Sequence, residues 1–311
     1  MATPLPFNRD LTFTYGEADR LSPLVRRVIA RNPSPFTFHG TGTYIIGHGR
    51  VGVIDPGPLD AAHVDAILNA TRGETITHLL ITHTHNDHSP AAAPLKARTG
   101  ALTYAYGPHG SLLPDDGIKT EEDGDGGFMP DHAVRHGMRI AGEGWTVQCI
   151  FTPGHTSNHM SYALLEENAV FPGDHVMGWS TTVVSPPDGD MSDYMNSLAH
   201  LASRNDSVYY PTHGAPIGGP NDTFKRNPQE FVRGLIAHRL DREAQIGACL
   251  SRGVGRIPDM VKEIYAAVDP RLHPAAALSV HAHLIRMVKD GRARTPGEAV
   301  LSAIYGPGTT R

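Results

Sequence analysis

The strongest constraint on this fold is a dense cluster of histidine and aspartate side chains that directly follows the apolar run Leu79-Leu80-Ile81. The cluster reads His83-Thr84-His85-Asn86-Asp87-His88. Such an apolar run is typical of a buried β-strand, which delivers the chain to the edge of a sheet. Several imidazoles and a carboxylate in one turn are costly to desolvate unless they share a partner, and a divalent cation is such a partner. The sequence therefore predicts a metal site at a strand end.

The same pattern, a strand-like run followed by a tight turn and a metal-type ligand, occurs again later in the chain. The runs 145–151, 169–171 and 208–210 lead to His155, Asp174 and His213, respectively. Between such runs, segments 60–70 and 90–98 have the periodicity of amphipathic helices. Alternating strands and helices, with candidate ligands at the strand ends, predict a layered α/β architecture.

The first part of the chain reads as three strands separated by Gly-rich turns, and Asp55 ends the third. We expect these strands at 36–38, 43–46 and 51–54. Residues 107–131 then interrupt the alternation with Gly, Pro and acidic residues, which predicts a loop over the mouth of the site. Within that loop, Asp123 and Asp125 suggest a calcium loop, but the closing glutamate and other ligand positions are absent.

A Pro/Gly-rich stretch, 215–227, is the predicted domain boundary. We place a catalytic domain at 1–221 and a small second domain at 222–311. The second domain reads as three helices, 227–250, 258–268 and 274–289, followed by a turn that contains Gly and Arg. This order predicts a winged-helix-like module.

Charge is uneven along the chain. From Lys225 onward there are 14 Lys and Arg against 8 Asp and Glu, a balance of +6, whereas the whole chain has a net charge of −5. A basic tail favours a polyanionic partner, but solvated helical surfaces give the same count. Cys149 and Cys249 are the only cysteines. Two cysteines do not form a disulfide framework, and with no long apolar run the expected location is the cytoplasm, away from membranes.

Four other histidines are not expected to bind a metal ion directly. His159 is expected to support the ligands by hydrogen bonding from outside the ligand set, and His175, beside Asp174, is not expected to bind metal directly. His281 and His283 diverge on a helix, so we interpret them as core residues.

The cluster at 83–88 resembles that of the metallo-β-lactamase superfamily, and the later Gly-His, Gly-Asp and His-Gly pairs follow the superfamily's order over residues 36–214. The resemblance implies an αββα sandwich. It also implies two metal sites, with His83, His85 and His155 at one, Asp87, His88 and His213 at the other, and Asp174 bridging them. Asp55 then supports the metal loop through hydrogen bonds.

Three further segments are similar to the β-lactamase-like protein 2 family, namely 193–198, 238–246 and 260–265. Members of that family carry a C-terminal winged helix, and a mitochondrial representative is a single-strand-selective endoribonuclease. This chain departs from the family in having Pro-Thr-His-Gly at 211–214, where Pro-Gly-His-Gly is usual, and in its loop at 107–131.

The resemblance implies hydrolysis by two zinc ions, with Mn or Fe as alternatives, and a catalytic Asp87 that orients the attacking water. The substrate expected first is single-stranded RNA, because of the family match and the basic tail. The alternatives are an acyl hydrolase of glyoxalase II, lactonase or β-lactamase type and a non-catalytic metal-bound scaffold, which the complete ligand set disfavours. A homodimer is the other association considered.

Overall fold

The computed structural model describes residues 5–110 and 124–308. Its first sheet has strands in sequence order, antiparallel from β1 to β4 and parallel from β4 to β7. These strands are β1 (Ala18–Arg20), β2 (Val25–Ile29), β3 (Gly42–Ile46), β4 (Arg50–Ile54), β5 (Thr75–Leu80), β6 (Leu102–Ala105) and β7 (His132–Ala133). Parallel neighbours need a crossover, which α1 (Ala61–Ala70) supplies between β4 and β5 and α2 (Ala92–Thr99) between β5 and β6.

The second sheet has the order β13-β12-β11-β10-β9-β8, and its only parallel pair in the described residues is β11 with β12. Its strands are β8 (Arg139–Ala141), β9 (Thr146–Phe151), β10 (Met160–Leu164), β11 (Ala169–Phe171), β12 (Val208–Tyr209) and β13 (Ile217–Gly218). Helix α3 (Met191–Ala202) connects β11 to β12, and the long helix α4 (Pro228–Ser251) follows the sheet.

The two sheets pack face to face between layers of helices. Tyr44 and Ile46 of β3 meet Tyr162 of β10 in the core between the sheets. Ile45, which points to the opposite face of β3, packs in a second core with residues of α1 and α2. A third core joins the outer face of the second sheet to α3 and α4. This arrangement confirms the αββα sandwich that the sequence predicted, and it places the carboxyl ends of β5, β9, β11 and β12 at one edge.

The C-terminal part forms its own core of apolar side chains around α4. It contains α5 (Ile257–Ile264), a 3-10 turn (Pro270–Leu272), α6 (His273–Lys289) and a two-stranded ribbon of β14 (Ala293–Arg294) with β15 (Gly306–Pro307). His281 and His283 are buried in this part, as predicted, and His281 Nε2 lies 2.8 Å from the carbonyl oxygen of Ala299. Helices followed by a small ribbon confirm the winged-helix-like architecture.

A buried carboxylate on α4, Glu243, holds the C-terminal domain together. Its side chain is 2% exposed and accepts hydrogen bonds of 2.6 Å from both Arg286 and Arg292. Burial raises the pKa of Glu243, but the hydrogen bonds of His283, Arg286 and Arg292 outweigh burial and lower this pKa to about 2. Burial also lowers the pKa of His283 to about 4, so the two arginines carry the opposing charge near neutral pH.

One expected strand is wrong. Residues 36–38 form no strand, and only a single bridge joins Ser34 to Phe38. Phe38 has a φ of 60°, which is incompatible with a β-ladder, and its ring stacks 4.7 Å from that of Trp179.

The loop expected at 107–131 lies partly outside the described residues, which resume at Gly124. On the described side, the backbone N–H of Asp125 donates to the carbonyl of Thr84 over 2.7 Å. The domain boundary expected at 221/222 falls between β13 and α4 and stays a prediction. None of the helices in the described ranges combines the length and hydropathy needed to cross a membrane.

Replacing Glu243 tests the importance of its buried network. Glu243→Gln should lower the free energy of unfolding by about 2–3 kcal/mol at pH 7, because hydrogen bonds to charged groups contribute roughly 1.5–3 kcal/mol. The folded-state pKa lies below the ordinary 4.5, so the ionised carboxylate stabilises the fold above that pH and loses its effect as the pH falls toward 2. Urea denaturation at several pH values measures both effects.

The matched control is Glu230→Gln, an exposed position in the first turn of the same helix, with an expected cost below about 1 kcal/mol. Equal stability of wild type and Glu243→Gln at pH 7 would contradict the assigned role of the network.

Candidate metal centre

Strand ends from both sheets bring the sequence-predicted ligands together. The loop after β5 carries the cluster at 83–88, and His155, Asp174 and His213 follow β9, β11 and β12. Parallel and adjacent strands end at one sheet edge, so side chains far apart in sequence meet there. The structure thus places all seven residues in one site at the edge of the sandwich.

Three imidazoles form the first group of converging donor atoms. His85 Nδ1 lies 2.9 Å from His83 Nε2 and 3.1 Å from His155 Nε2. All three side chains are buried. Their nitrogens are close enough together to bind one ion.

A second group contains Asp87, His88 and His213. Asp87 Oδ2 lies 3.1 Å from His213 Nε2 and 3.4 Å from His88 Nε2. Asp174 lies between the two groups, because its Oδ2 is 3.3 Å from His213 Nε2, 3.5 Å from His88 Nε2 and 3.9 Å from His155 Nε2. This geometry is compatible with the bridging position that the family resemblance implies for Asp174.

The protonation of the first group suits metal binding. Burial, reinforced by neighbouring imidazoles, lowers the pKa of His83 and of His85 well below the ordinary value. Burial also lowers the pKa of His155, against the opposing effect of Asp174. Near neutral pH these rings are therefore uncharged and offer lone pairs, as a metal ion requires.

The carboxylates of Asp87 and Asp174 are ionised and need positive charge beside them. Burial raises the pKa of Asp87 and Asp174, but His88 and His213 outweigh burial and lower both values well below the ordinary range. Conversely, burial lowers the pKa of His213, while Asp174 and Asp87 raise it to about 10. Ionised carboxylates in a buried site need a compensating cation, which a divalent metal ion supplies.

Unsatisfied buried atoms indicate that the residues fit a metal ion. His88 Nε2 and Asp174 Oδ1 are both buried and have no hydrogen-bond partner in the described structure. Buried polar atoms without partners are rare in native proteins, and a bound ion is one explanation for them. Together with the three converging nitrogens of the first group, these atoms support a metal centre.

The outward-facing nitrogens of the ligand rings are fixed by hydrogen bonds. His155 Nδ1 lies 2.7 Å from the Val183 carbonyl oxygen, and His213 Nδ1 lies 3.2 Å from that of Gly40. Because a carbonyl only accepts, each Nδ1 carries a proton, which leaves Nε2 as the nitrogen that can bind an ion.

Asp55 lies at the end of β4, beside the candidate ligands. Its carboxylate accepts hydrogen bonds from Thr82 N and Oγ1, at 2.8 and 2.7 Å, and from Thr212 Oγ1 at 3.1 Å. Asp55 Oδ2 also lies 3.0 Å from His88 Nδ1. Asp55 therefore orients a candidate ligand and links it to the ends of β5 and β12.

The two accessory histidines lie behind the candidate ligands. His159 Nδ1 is 2.9 Å from Thr152 Oγ1, and its ring centroid is 5.1 Å from that of His83. Thus His159 packs against a candidate ligand and forms its hydrogen bond to Thr152 instead of to a ligand. His175 is buried, and it lies outside the groups of converging donor atoms.

Sequence analysis missed the residues that enclose the site. Thr41 Oγ1 donates to Asp87 Oδ2 over 2.9 Å. A cavity of about 730 Å³ extends from the metal-type ligands to the C-terminal domain, where Arg239, Arg242 and Tyr265 line it. The motif at 238–246 marked two of these residues, but no local pattern shows that α4 would face the site.

Weakening the support from Asp55 should weaken metal binding. Asp55→Asn keeps the size of the side chain, and asparagine tolerates the left-handed φ of 48° found here. We expect metal affinity to fall about 10–100-fold, the usual effect of losing such a supporting carboxylate. Competition with a chromogenic chelator measures the affinity, and circular dichroism verifies the fold.

Asp65→Asn, at an exposed position of α1, is the matched control and should leave the affinity unchanged. Wild-type affinity in Asp55→Asn would show that this carboxylate does not support the site.

Comparison with known proteins agrees with this geometry. Residues 37–213 match the family model of the metallo-beta-lactamase superfamily, and residues 257–299 match that of the beta-lactamase associated winged helix domain. The chain is 31% identical over 286 residues to a beta-lactamase-like protein 2 homolog from Caenorhabditis elegans, with 89% of this chain and 88% of the relative covered. It is 33% identical over 262 residues to an atrochrysone carboxyl ACP thioesterase from Passalora fulva, with 80% and 70% covered.

Solved structures show the same fold at lower sequence identity. A beta-lactamase domain protein from Burkholderia ambifaria aligns with a TM-score of 0.77 at 19% identity, over 96% of each chain. The family model spans more than half of the 311 residues, and its C-terminal limit coincides with His213. The chain therefore belongs to the metallo-β-lactamase superfamily and carries the associated winged-helix domain.

Proposed function

We propose that this protein is a two-zinc hydrolase that cleaves thioesters of small carboxylic acids. The observation that carries the proposal is the cavity of about 730 Å³ between the candidate metal centre and the C-terminal helices. Its volume lies within the range of small-molecule sites, roughly 300–1,000 Å³.

The walls of the cavity suit an acyl chain. Phe36, Met177 and Trp179 line it from the catalytic domain, and Tyr265 and Leu272 line it from the C-terminal domain. Apolar and aromatic walls favour burial of hydrocarbon. Single-stranded RNA, in contrast, binds along extended basic grooves with exposed stacking platforms.

In this proposal, His83, His85 and His155 hold one zinc ion and Asp87, His88 and His213 hold the other, with Asp174 between them. An imidazole-rich donor set favours zinc, and Mn or Fe also fit a mixed histidine and carboxylate site. When bound, such a pair of ions lowers the pKa of a shared water and polarises the thioester carbonyl.

We assign to Asp87 the task of orienting the attacking water. It lines the cavity, its side chain is 18% exposed, and Thr41 fixes its Oδ2 by a hydrogen bond of 2.9 Å. A thiolate leaving group, with a thiol pKa of about 8.5, departs without full protonation. Thioester cleavage therefore makes small demands for a general acid.

RNA cleavage remains the second candidate, supported by the resemblance to the β-lactamase-like protein 2 family. The charge excess of the tail supports RNA cleavage slightly less than the sequence suggested, because Lys289 pairs with Asp190, a carboxylate outside the tail. The thioesterase name of the Passalora fulva relative favours acyl chemistry instead.

The zinc-loaded protein should hydrolyse butyryl-N-acetylcysteamine faster than it cleaves labelled single-stranded RNA. A chelator should abolish hydrolysis and added zinc should restore it. Asp87→Ala should lower kcat/KM by about a hundredfold or more, because even loss of a supporting residue costs 10–100-fold. Released thiol and RNA fragments are measured in parallel assays.

The control for this experiment is Asp65→Ala, which replaces an exposed aspartate of α1. RNA cleavage without thioester hydrolysis would replace the proposed substrate class, and wild-type activity in folded Asp87→Ala would refute the role of Asp87.

A further inference from the structure

One wall of the cavity carries two arginine side chains. Helix α4 contributes Arg239 and Arg242 to this wall. Among the described lining residues, the carboxylates are Asp87 and Asp174, and both belong to the candidate metal centre. The arginines of this wall therefore face a cavity in which no other described carboxylate balances their charge.

Arg239 is almost completely buried, at 3% exposure. Its Nη2 donates to the carbonyl oxygen of Thr182, and its Nη1 donates to Ser279 Oγ over 3.4 Å. Its Nε is buried without a hydrogen-bond partner, and no described carboxylate forms an ion pair with it. A buried guanidinium with neutral partners alone keeps its charge uncompensated.

Arg242 lies one helical turn further along and has more free donors. Its Nη1 donates to Gln245 Oε1 over 2.7 Å and to the Ile264 carbonyl over 3.3 Å, and its guanidinium lies 4.1 Å from the centre of the Tyr265 ring. Its Nε is buried without a partner. The Nε and Nη2 edge of Arg242 is thus unused by the described residues, and this edge matches the two oxygens of a carboxylate or phosphate.

The two acidic residues of α4 that lie nearest to these arginines have other partners. Glu243 is bound by Arg286 and Arg292, and Asp241 Oδ2 accepts a hydrogen bond of 2.7 Å from Gln245 Nε2. The helix therefore directs its carboxylates to other partners while its two neighbouring arginines line the cavity. If the two arginines only stabilised the fold, carboxylates of the same helix could pair with them and offset the cost of burying their charge.

We propose that Arg239 and Arg242 form a subsite for an oxyanion on the substrate, so that the thioester carries a carboxylate or phosphate that this wall of the cavity recognises. This inference rests on the proposed function in assuming that the substrate is a thioester, but binding of the anion does not require hydrolysis. The oxyanion has two sources, a carboxylate at the far end of the acyl group or the phosphate of a phosphopantetheine leaving group.

Two matched pairs of substrates distinguish these sources. The first pair is glutaryl- and pentanoyl-N-acetylcysteamine, which differ in the terminal carboxylate. The second pair is butyryl-4′-phosphopantetheine and butyryl-pantetheine, which differ in the phosphate. We expect the wild-type protein to prefer the charged member of one pair by about tenfold or more in kcat/KM, since hydrogen bonds between two charged groups are stronger than those between neutral groups.

Arg242→Gln should reduce that preference about tenfold, and Arg242→Lys should restore part of it, because lysine keeps the charge but loses the two-pronged geometry. Arg233→Gln is the matched control, since Arg233 is an exposed arginine of the same helix that does not line the cavity. Thermal melts verify that each variant is folded. No preference for the charged member in either pair, or a preference that survives in folded Arg242→Gln, would overturn the proposal.

A binding measurement separates this proposal from the proposed function. Glutarate and inorganic phosphate are titrated calorimetrically into the wild-type protein, Arg242→Gln and Arg233→Gln. If one anion binds tenfold more weakly to Arg242→Gln and normally to Arg233→Gln, the result would support the subsite even if none of the four thioesters is hydrolysed. Equal binding to all three proteins would refute the subsite even if thioesters are cleaved.

Discussion

The site depends on the hydrogen bonds that the buried carboxylate of Asp55 accepts. This carboxylate joins the end of β4 to Thr82 after β5, to Thr212 after β12 and to the ring of His88. Thr212 follows β12 of the second sheet and lies 157 residues from Asp55 in the sequence, so this carboxylate links one sheet to the other. Because charged acceptors form strong hydrogen bonds in a buried setting, the strand ends are held where the candidate ligands converge.

Convergence of the ligands also explains why the chain tolerates so many buried polar groups. His85 and His155 are 70 residues apart in sequence, yet their ring nitrogens lie 3.1 Å apart. A packed apolar sandwich behind them restricts where these rings can move, which is the condition for a preorganised metal site. The cost of desolvating His88 Nε2 and Asp174 Oδ1 is then offset by the ion that they are proposed to bind.

Local patterns were enough to predict a layered α/β architecture and the set of clustered residues, because each candidate ligand follows its own strand and turn, and the family resemblance added the αββα order. They failed where the determining contact is distant. Residues 36–38 have strand-like composition, yet the stacking of Phe38 on Trp179 accompanies a left-handed turn. Likewise, the sequence predicts a helix at 227–250, but it cannot reveal that Arg239 and Arg242 line a cavity shared with the other domain. That arrangement depends on domain packing.

We propose that the seven side chains form one centre for two metal ions. Metal analysis by mass spectrometry, after zinc loading and removal of loosely bound ions, tests this most directly. We expect two zinc ions per wild-type chain and a clear loss of zinc in His85→Ala, whose Nδ1 lies at the middle of the first group. One ion or none in the wild-type protein, or two in His85→Ala, would contradict it.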